Sequence, residues 1–264
     1  MVLCGFKQVL QFLFGFHRCA EKRRIEHLEI DAKRGQAFTR ASREITIAAK
    51  EGGGNNDGNF RLRLAMQKAR EINMPTDKIQ NAIKRGTGEL AGEKLEEIRY
   101  EGYGPAGVAV MVDAFTDNRN RTSASIRHRL SKFGGNLGES NSVGWMFERK
   151  GVISADAGKN DPDDVGLAAI EAGADDVQVE GKSVEVTTPP AAFEKVKAAM
   201  EGMGVTIDNA EITMQPKQTV AVGEDKAAAV LRMMESLEED DDVQQVYANF
   251  DIPTNVLERV SAQV

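Results

Sequence analysis

Cysteine is nearly missing from this chain: of 264 residues only Cys4 and Cys19 are cysteines, and both fall within the first twenty. The rest of the chain therefore has no disulfide or thiolate-metal option, which fits a reducing compartment. Histidine is as scarce, and His17, His27 and His128 show no metal-ligand spacing. A long apolar run is also lacking. The stretch from Val2 to Phe16 is broken by Gly5, Lys7, Gln8, Gln11 and Gly15, too short and too polar for a spanning helix. No basic residue precedes Cys4 and no A-x-A site follows, so a signal peptide fits poorly. The expectation is a cytoplasmic protein with no membrane partner.

Catalytic signatures are absent too. The sequence holds no Walker P-loop, G-x-S-x-G elbow, H-E-x-x-H or C-x-x-C. Gly102-Tyr103-Gly104-Pro105-Ala106-Gly107 spells G-x-G-x-x-G, but Val108 to Val112 after it reads as a strand, whereas a dinucleotide fingerprint needs a helix there. The run Glu238-Glu239-Asp240-Asp241-Asp242 lacks the glycine and spaced ligands of a calcium loop and reads as a solvated loop. The chain is therefore expected not to be an enzyme: catalytic residues, cofactor, metal site and small-molecule substrate are all expected to be none.

What is present is charge, unevenly placed. The formal net charge is -7 and the pI is near 5.2, which at first sight argues against a polyanionic partner. Yet residues 1 to 150 carry 26 Lys+Arg against 18 Asp+Glu, and residues 151 to 264 carry 8 against 23. With a Debye length of about 8 Å in physiological salt, a distant acidic region scarcely weakens a local basic surface. At 41% hydrophobic and 28% charged residues the composition is that of a folded globular protein. Its length suggests two or three domains.

From Asp31 to Gly86 the pattern is helical. Phe38, Ala41, Ile45, Ala48 and Ala49 form one apolar stripe, ended near Lys50 by the tract Gly52 to Gly58. Leu62, Ala65, Met66, Ala69 and Ile72 form a second. Pro75, a Thr76 cap and a Gly86 stop bound a short third helix. Strands are expected over Glu97 to Tyr100 and Val108 to Phe115, around a turn at Gly102 to Pro105, with a helix from Asn118 to Phe133 capped by Asp117. Residues 149 to 214 then read β-α-β-β-α-β, with a tight Glu180-Gly181-Lys182 hairpin and a second helix beginning at Pro190, the order of a ferredoxin-like domain. The pair Glu224 to Leu237 and Val243 to Phe250 is left to complete the sheet begun at Glu97. The fold class is thus α+β: an N-terminal three-helix bundle followed by two α/β domains, one ferredoxin-like and inserted in the other. The expected boundaries are 1–30 an atypical N-terminal segment, 31–88 the bundle, 89–148 plus 215–264 an α/β domain, and 149–214 the insert.

The candidate nucleic-acid contacts are basic residues on these helices. Between Asp31 and Gly88 there are 12 basic and 6 acidic residues. At 100° per residue Lys33, Arg40, Arg43 and Lys50 share one arc of the first helix, beside Arg34. Arg61 with Lys68 and Arg63 with Arg70 flank the second stripe, and Lys84 and Arg85 close the third helix. Either these are phosphate contacts, giving sequence-independent affinity, or they are a solvated surface. In Thr116-Asp117-Asn118-Arg119-Asn120-Arg121-Thr122 a strand meets a helix start, where first-turn amides favour an anion and Arg119 and Arg121 can add bidentate contacts. Arg121, Ser125, His128 and Lys132 share a polar face expected to be free; the alternative is a capped helix whose arginines pair with nearby carboxylates. Tyr100 and Tyr103 are candidates for stacking on unpaired bases, or are packing residues.

From Asp31-Ala32-Lys33-Arg34-Gly35 onward the chain resembles the YebC/PmpR family, bacterial relatives of the mitochondrial translational activator of cytochrome c oxidase. The matching motifs include Phe38-Thr39, Arg43-Glu44-Ile45-Thr46, Gly52 to Gly54, Arg61-Leu62-Arg63-Leu64-Ala65, Asn73-Met74-Pro75 and Ile83-Lys84-Arg85-Gly86-Thr87-Gly88. They continue through Tyr100-Glu101-Gly102-Tyr103-Gly104-Pro105, Thr116 to Thr122 and Gly134-Gly135-Asn136-Leu137-Gly138. The resemblance implies three domains and a DNA-binding transcriptional regulator or, as for the mitochondrial relatives, a translation factor binding ribosomal RNA or tRNA at the ribosome. The start departs from the family: Met1 to Ile30 lacks its His-Ser-Lys-Trp segment and holds Phe6, Phe12, Phe14 and Phe16. A shifted start or reading frame is the expectation there.

Overall fold

The computed structural model describes residues 34–92 and 94–253 together with Val256 and Arg259. Lys33 and the atypical segment 1–30 lie outside the described residues. Two compact units part between Glu96 and Glu97. The architecture is α+β, helices first and antiparallel sheets after.

The first unit is built from α1 (34–52), α2 (Phe60–Glu71) and α3 (Thr76–Gly86). Their apolar stripes meet in one cluster that includes Ile45, Ala48, Ala49, Leu62, Ala65, Met66, Ala69, Ile79 and Ala82. Asn59 fastens two helices at once. Its side chain caps α2 by accepting from the Leu62 amide (3.0 Å), and its amide donates to the carbonyls of Ala48 (2.7 Å) and Gly53 (2.9 Å).

Two details of α3 differ from the sequence expectation. Thr76 is the first helical residue rather than the cap; the cap position is Pro75, which has no side-chain bond to give. Gly86 lies inside the last turn, where a Cβ would collide with the Thr46 carbonyl. Gly86 is therefore small for close approach of α1, and Gly88, at φ +83°, is the residue that takes the left-handed conformation after the helix.

The second unit begins with β1 (Glu96–Tyr103) and β2 (Ala109–Thr116), followed by α4 (Arg119–Lys132), β3 (Asn136–Leu137), α7 (Glu224–Glu238) and β9 (Val243–Ala248). The first sheet has the order β3-β1-β2-β9, so the late strand β9 does join the sheet begun near Glu97, antiparallel to β2. Strand β1 runs on to Tyr103, past the expected turn, and the reversal is made by a short 3-10 turn at Pro105–Gly107. Strand β2 is buried on both faces. Val110 and Val112 meet Ile126 and Leu130 of α4 and Val230, Met233 and Leu237 of α7, while Ala109 and Met111 meet Val143 and Phe147.

Between β3 and α7 the chain forms β4 (Phe147–Asp156), α5 (Pro162–Ala172), β5 (Asp176–Glu180), β6 (Ser183–Thr188), α6 (Phe193–Gly202) and β7 (Thr206–Pro216). Their sheet has the order β5-β6-β4-β7 with all neighbours antiparallel, the ferredoxin-like arrangement. Helix α6 starts at Phe193, three residues after the expected Pro190. A two-stranded parallel pair, β8 (Val220–Ala221) with β10 (Phe250–Asp251), completes the described strands.

Candidate nucleic-acid interface

In the helical unit the expected basic arc of α1 is divided rather than uniform. Arg34 is exposed, with its guanidinium 5.3 Å from the centroid of the Phe38 ring. Arg40 and Arg43 are half-buried. Lys50 gives its ammonium to the Leu95 carbonyl at 3.0 Å, which ties α1 to the segment leading into β1. Arg61 is ion-paired with Glu51 at 2.7 Å, and Arg63 lies 5.6 Å from the Phe60 ring centroid. Lys68 is half-buried. Arg70, Lys84 and Arg85 are exposed in the last turns of α2 and α3, and among the described residues none of the three forms an ion pair.

Helices α1 and α3 and the segment after α3 enclose a solvent-open groove of about 650 Å³. The close α1–α3 crossing, where Thr46 donates to the Ala82 carbonyl at 3.2 Å, sets its floor. Arg43 lines it from α1, Lys78 and Arg85 from α3, and Gly92 and Leu95 from the far wall. Lys78 was not singled out by sequence; its ammonium lies 5.2 Å from the Phe38 ring centroid, so that ring is approached by two cations.

In the second unit the constellation at the start of α4 is already engaged. Asn118, not Asp117, is the cap: its side chain accepts from the Arg121 amide at 3.1 Å. Asp117 instead pairs with the Arg121 guanidinium at 2.8 Å, and Asp242 meets the same guanidinium at 2.9 Å. Asp242 first and Asp117 second hold the Arg121 pKa above its ordinary value. An arginine matched by two carboxylates has little charge left for a phosphate.

The acidic run is thus not simply a solvated loop. Asp242, 5% exposed, also accepts from Thr122 (2.7 Å) and Thr116 (3.2 Å), both fully buried or nearly so. Asp240, 9% exposed, accepts from Ser125 and is ion-paired with Arg129 at 3.3 Å. Arg129 in turn donates to the Ser236 carbonyl. The polar face expected to be free is therefore largely a seam between α4 and the turn after α7. Its exposed members are Arg121, His128 and Lys132, the last with its ammonium 5.3 Å from the Phe133 ring centroid, and Arg119 is exposed at the helix start.

Both tyrosines are half-buried against apolar clusters. The Tyr100 hydroxyl donates to the Arg119 carbonyl and the Tyr103 hydroxyl to the Ser142 carbonyl, each at 3.2 Å. Burial pushes the Tyr100 phenol above its ordinary pKa.

The exposed aromatic of this unit is one the sequence reading passed over. Trp145, 66% exposed, rides on a short turn whose backbone is held by the buried Glu101 carboxylate, which accepts from the amides of Asn141 (3.0 Å), Val143 (2.7 Å) and Gly144 (2.7 Å). No periodic signal marks it; its being the chain's sole tryptophan is the only flag. Among the described residues no group of three or more His, Cys, Asp or Glu is placed to hold a metal ion, and no helix is long and apolar enough to cross a membrane.

The described residues thus form a helical unit with exposed cations, followed by antiparallel sheets. The chain belongs to the TACO1/YebC family: its N-terminal domain model matches residues 20–89 and its second-and-third-domain model residues 95–250. The first match begins inside the segment that sequence reading set apart. A Natranaerobius thermophilus protein named "Probable transcriptional regulatory protein" is 52% identical over 232 residues, covering 87% of this chain and 93% of the relative. A Syntrophus aciditrophicus protein of the same name is 51% identical over 234 residues, covering 88% and 94%. Among solved structures, a conserved hypothetical protein of Aquifex aeolicus matches with a TM-score of 0.76 and 48% identity, over 85% of this chain and 93% of that one.

Proposed function

We propose that this protein is a non-enzymatic, nucleic-acid-binding regulator of gene expression whose main contact surface is the helical unit. The observation that carries the reading is the set of exposed cations outside ion pairs, Arg70, Lys84 and Arg85, on a segment with a twofold excess of basic over acidic residues. Such a surface neutralises phosphates whatever the sequence, and each neutralised phosphate releases counterions. The relatives' name, probable transcriptional regulatory protein, supports a role in transcription, for which DNA is the proposed partner. Arg119, His128 and Lys132 add exposed basic side chains on the second unit, and Arg121 there is paired with Asp117 and Asp242.

A second reading, a translation factor on ribosomal RNA or tRNA, is favoured by where the cations sit. Arg70 lies in the last turn of α2 and Lys84 and Arg85 in the last turn of α3, rather than along one helix face of the kind that enters a major groove. Contacts from helix ends suit shape-based recognition of folded RNA.

Affinity for a labelled DNA duplex and for a ribosomal RNA fragment, measured across about 50 to 200 mM salt, tests the shared claim. With about six phosphates neutralised, log K falls against log salt with a slope near -5 on duplex DNA. A flat response on both polymers refutes it. Co-sedimentation with ribosomes, set against retardation of one promoter fragment over random DNA of equal length, separates the two readings.

A further inference from the structure

The ferredoxin-like sheet ends on an open strand. Strand β5 stands last in the order β5-β6-β4-β7, so its inner side pairs with β6, and among the described residues no strand pairs with its outer side. Four of its five residues, Asp176, Gln178, Val179 and Glu180, are exposed. The outer side therefore presents backbone amides and carbonyls that another strand can pair with. Its side chains alternate. Val177 and Val179 lie on the face that α5 covers, and Asp176, Gln178 and Glu180 on the other.

Beside this strand α5 leaves apolar surface uncovered. Gly166 sits over Val177, where an added Cβ would lie 3.0 Å from the valine Cγ1. Ile170 follows one turn on along that flank of the helix, and Leu167 lies next to it, further from the sheet. They are 53% and 59% exposed, and Val179 on the strand is 40% exposed. Three of the five exposed large hydrophobics among the described residues thus share one border of one domain, where single scattered ones would call for no explanation. An open strand flanked by an apolar helix is the arrangement that captures an extended peptide: main-chain bonds hold it, and alternate side chains give selectivity.

Charge decides between occupants. Two copies of β5 paired antiparallel about Gln178 would set Asp176 against the second copy's Glu180, twice over, and like charges directly opposite are destabilising. A basic segment meets the same carboxylates favourably. We propose that β5 and α5 form a docking site for an extended basic peptide of a partner protein. The peptide adds a strand to the sheet, with alternate apolar side chains against Val179, Leu167 and Ile170 and the intervening lysines or arginines beside Asp176 and Glu180. This goes beyond the nucleic-acid reading and does not depend on it, since it gives residues 151 to 264, with 8 Lys+Arg against 23 Asp+Glu, a partner of their own.

Fluorescence anisotropy with the full chain tests it, using end-labelled peptides of about seven residues: alternating Lys and Val, the same composition in block order, and alternating Glu and Val. The wild-type chain binds the alternating Lys-Val peptide about tenfold more tightly than either control. Asp176→Lys/Glu180→Lys reverses the preference between the Lys and Glu peptides, and Leu167→Ser/Ile170→Ser weakens the Lys-Val peptide about tenfold. All four positions are exposed, and melting temperatures close to wild type establish that the variants fold. Methylating one set of alternate peptide amides abolishes binding and methylating the other set leaves it, because a strand pairs along one of its sides. Equal binding of alternating and block peptides, or indifference to both methylations, overturns the added strand. Unchanged affinity in both double variants overturns the site. A wild-type dimer that Leu167→Ser/Ile170→Ser dissolves puts a second copy on this edge in place of the peptide. Duplex-DNA affinity stays unchanged in Leu167→Ser/Ile170→Ser; a parallel loss would put nucleic acid there instead and overturn the protein partner.

Discussion

Replacing Asp242 with alanine tests the claim that the acidic turn after α7 organises the start of α4. The carboxylate is 5% exposed and accepts from two hydroxyls, Thr122 at 2.7 Å and Thr116 at 3.2 Å, which are themselves 0% and 1% exposed. Alanine leaves these hydroxyls short of an acceptor. A buried polar group without its partner costs roughly 1–3 kcal/mol. The two threonines keep their mutual bond at 2.8 Å, and Thr122 keeps the Asn118 carbonyl at 3.1 Å, so the lower part of that range applies to each, about 2–3 kcal/mol together. Arg121 stands in solvent and retains Asp117, and it adds nothing to this figure. For a domain of this size one kcal/mol moves the melting temperature by about 2–4 °C, giving a fall of about 4–12 °C by circular dichroism at neutral pH. Asp241→Ala, one residue earlier and exposed, is the control and stays within about 0.5 kcal/mol of wild type. An Asp242→Ala melting temperature within about 2 °C of wild type, or an equal fall for Asp241→Ala, would show that the turn is a solvated loop after all.

Two other substitutions probe features that position surfaces. Glu101→Ala removes the acceptor of three backbone amides; at roughly 1.5–3 kcal/mol for a bond to a charged group, partly recovered through water, it costs about 3–5 kcal/mol. Because Trp145 is the only tryptophan, its near-ultraviolet circular dichroism band should collapse as the turn loosens, and an unchanged band would mean the turn is held by something else. Gly86→Ala drives a methyl into the Thr46 carbonyl and to 2.7 Å from the Ala49 Cβ; overpacking of this kind costs about 1–3 kcal/mol. Denaturant unfolding followed by helical circular dichroism should show the loss, while no change would mean α1 and α3 yield without strain.

The helices of the first unit were legible because every signal that makes them is local: apolar spacings of three and four, and glycines and a proline between. The β-α-β-β-α-β order was legible for a similar reason, since the Gly181 hairpin and the alternating strands lie close together along the chain. The seam around α4 was not. Asp240 and Asp242 meet Ser125, Thr116 and Thr122 across sequence separations of 115 to 126 residues, and no periodicity in an acidic run tells a buried carboxylate from a solvated one. The same blindness hid the far wall of the groove, since the stretch from Ala91 to Leu95 has no periodic pattern and acquires meaning only when Lys50 fixes it. Thus the sequence left Arg121 between a phosphate contact and a pairing with nearby carboxylates, and the structure places it against Asp117, four residues before it, and Asp242, which no local pattern foretells.

The nesting of one sheet within the span of another has a consequence for synthesis. All four strands of the ferredoxin-like sheet lie between Phe147 and Pro216, so that unit can close as soon as Pro216 has left the ribosome. Strand β2 must wait longer. Its neighbour β9 is made from Val243 to Ala248, after the whole of the ferredoxin-like sheet, and until then one edge of β2 is an unpaired row of amides beside Val110 and Val112. Exposed edges of this kind template aggregation. A chain arrested between residues 216 and 243 would therefore carry a finished insert on an unfinished host, sticky along one side, and Val243 to Ala248 are the residues that seal it.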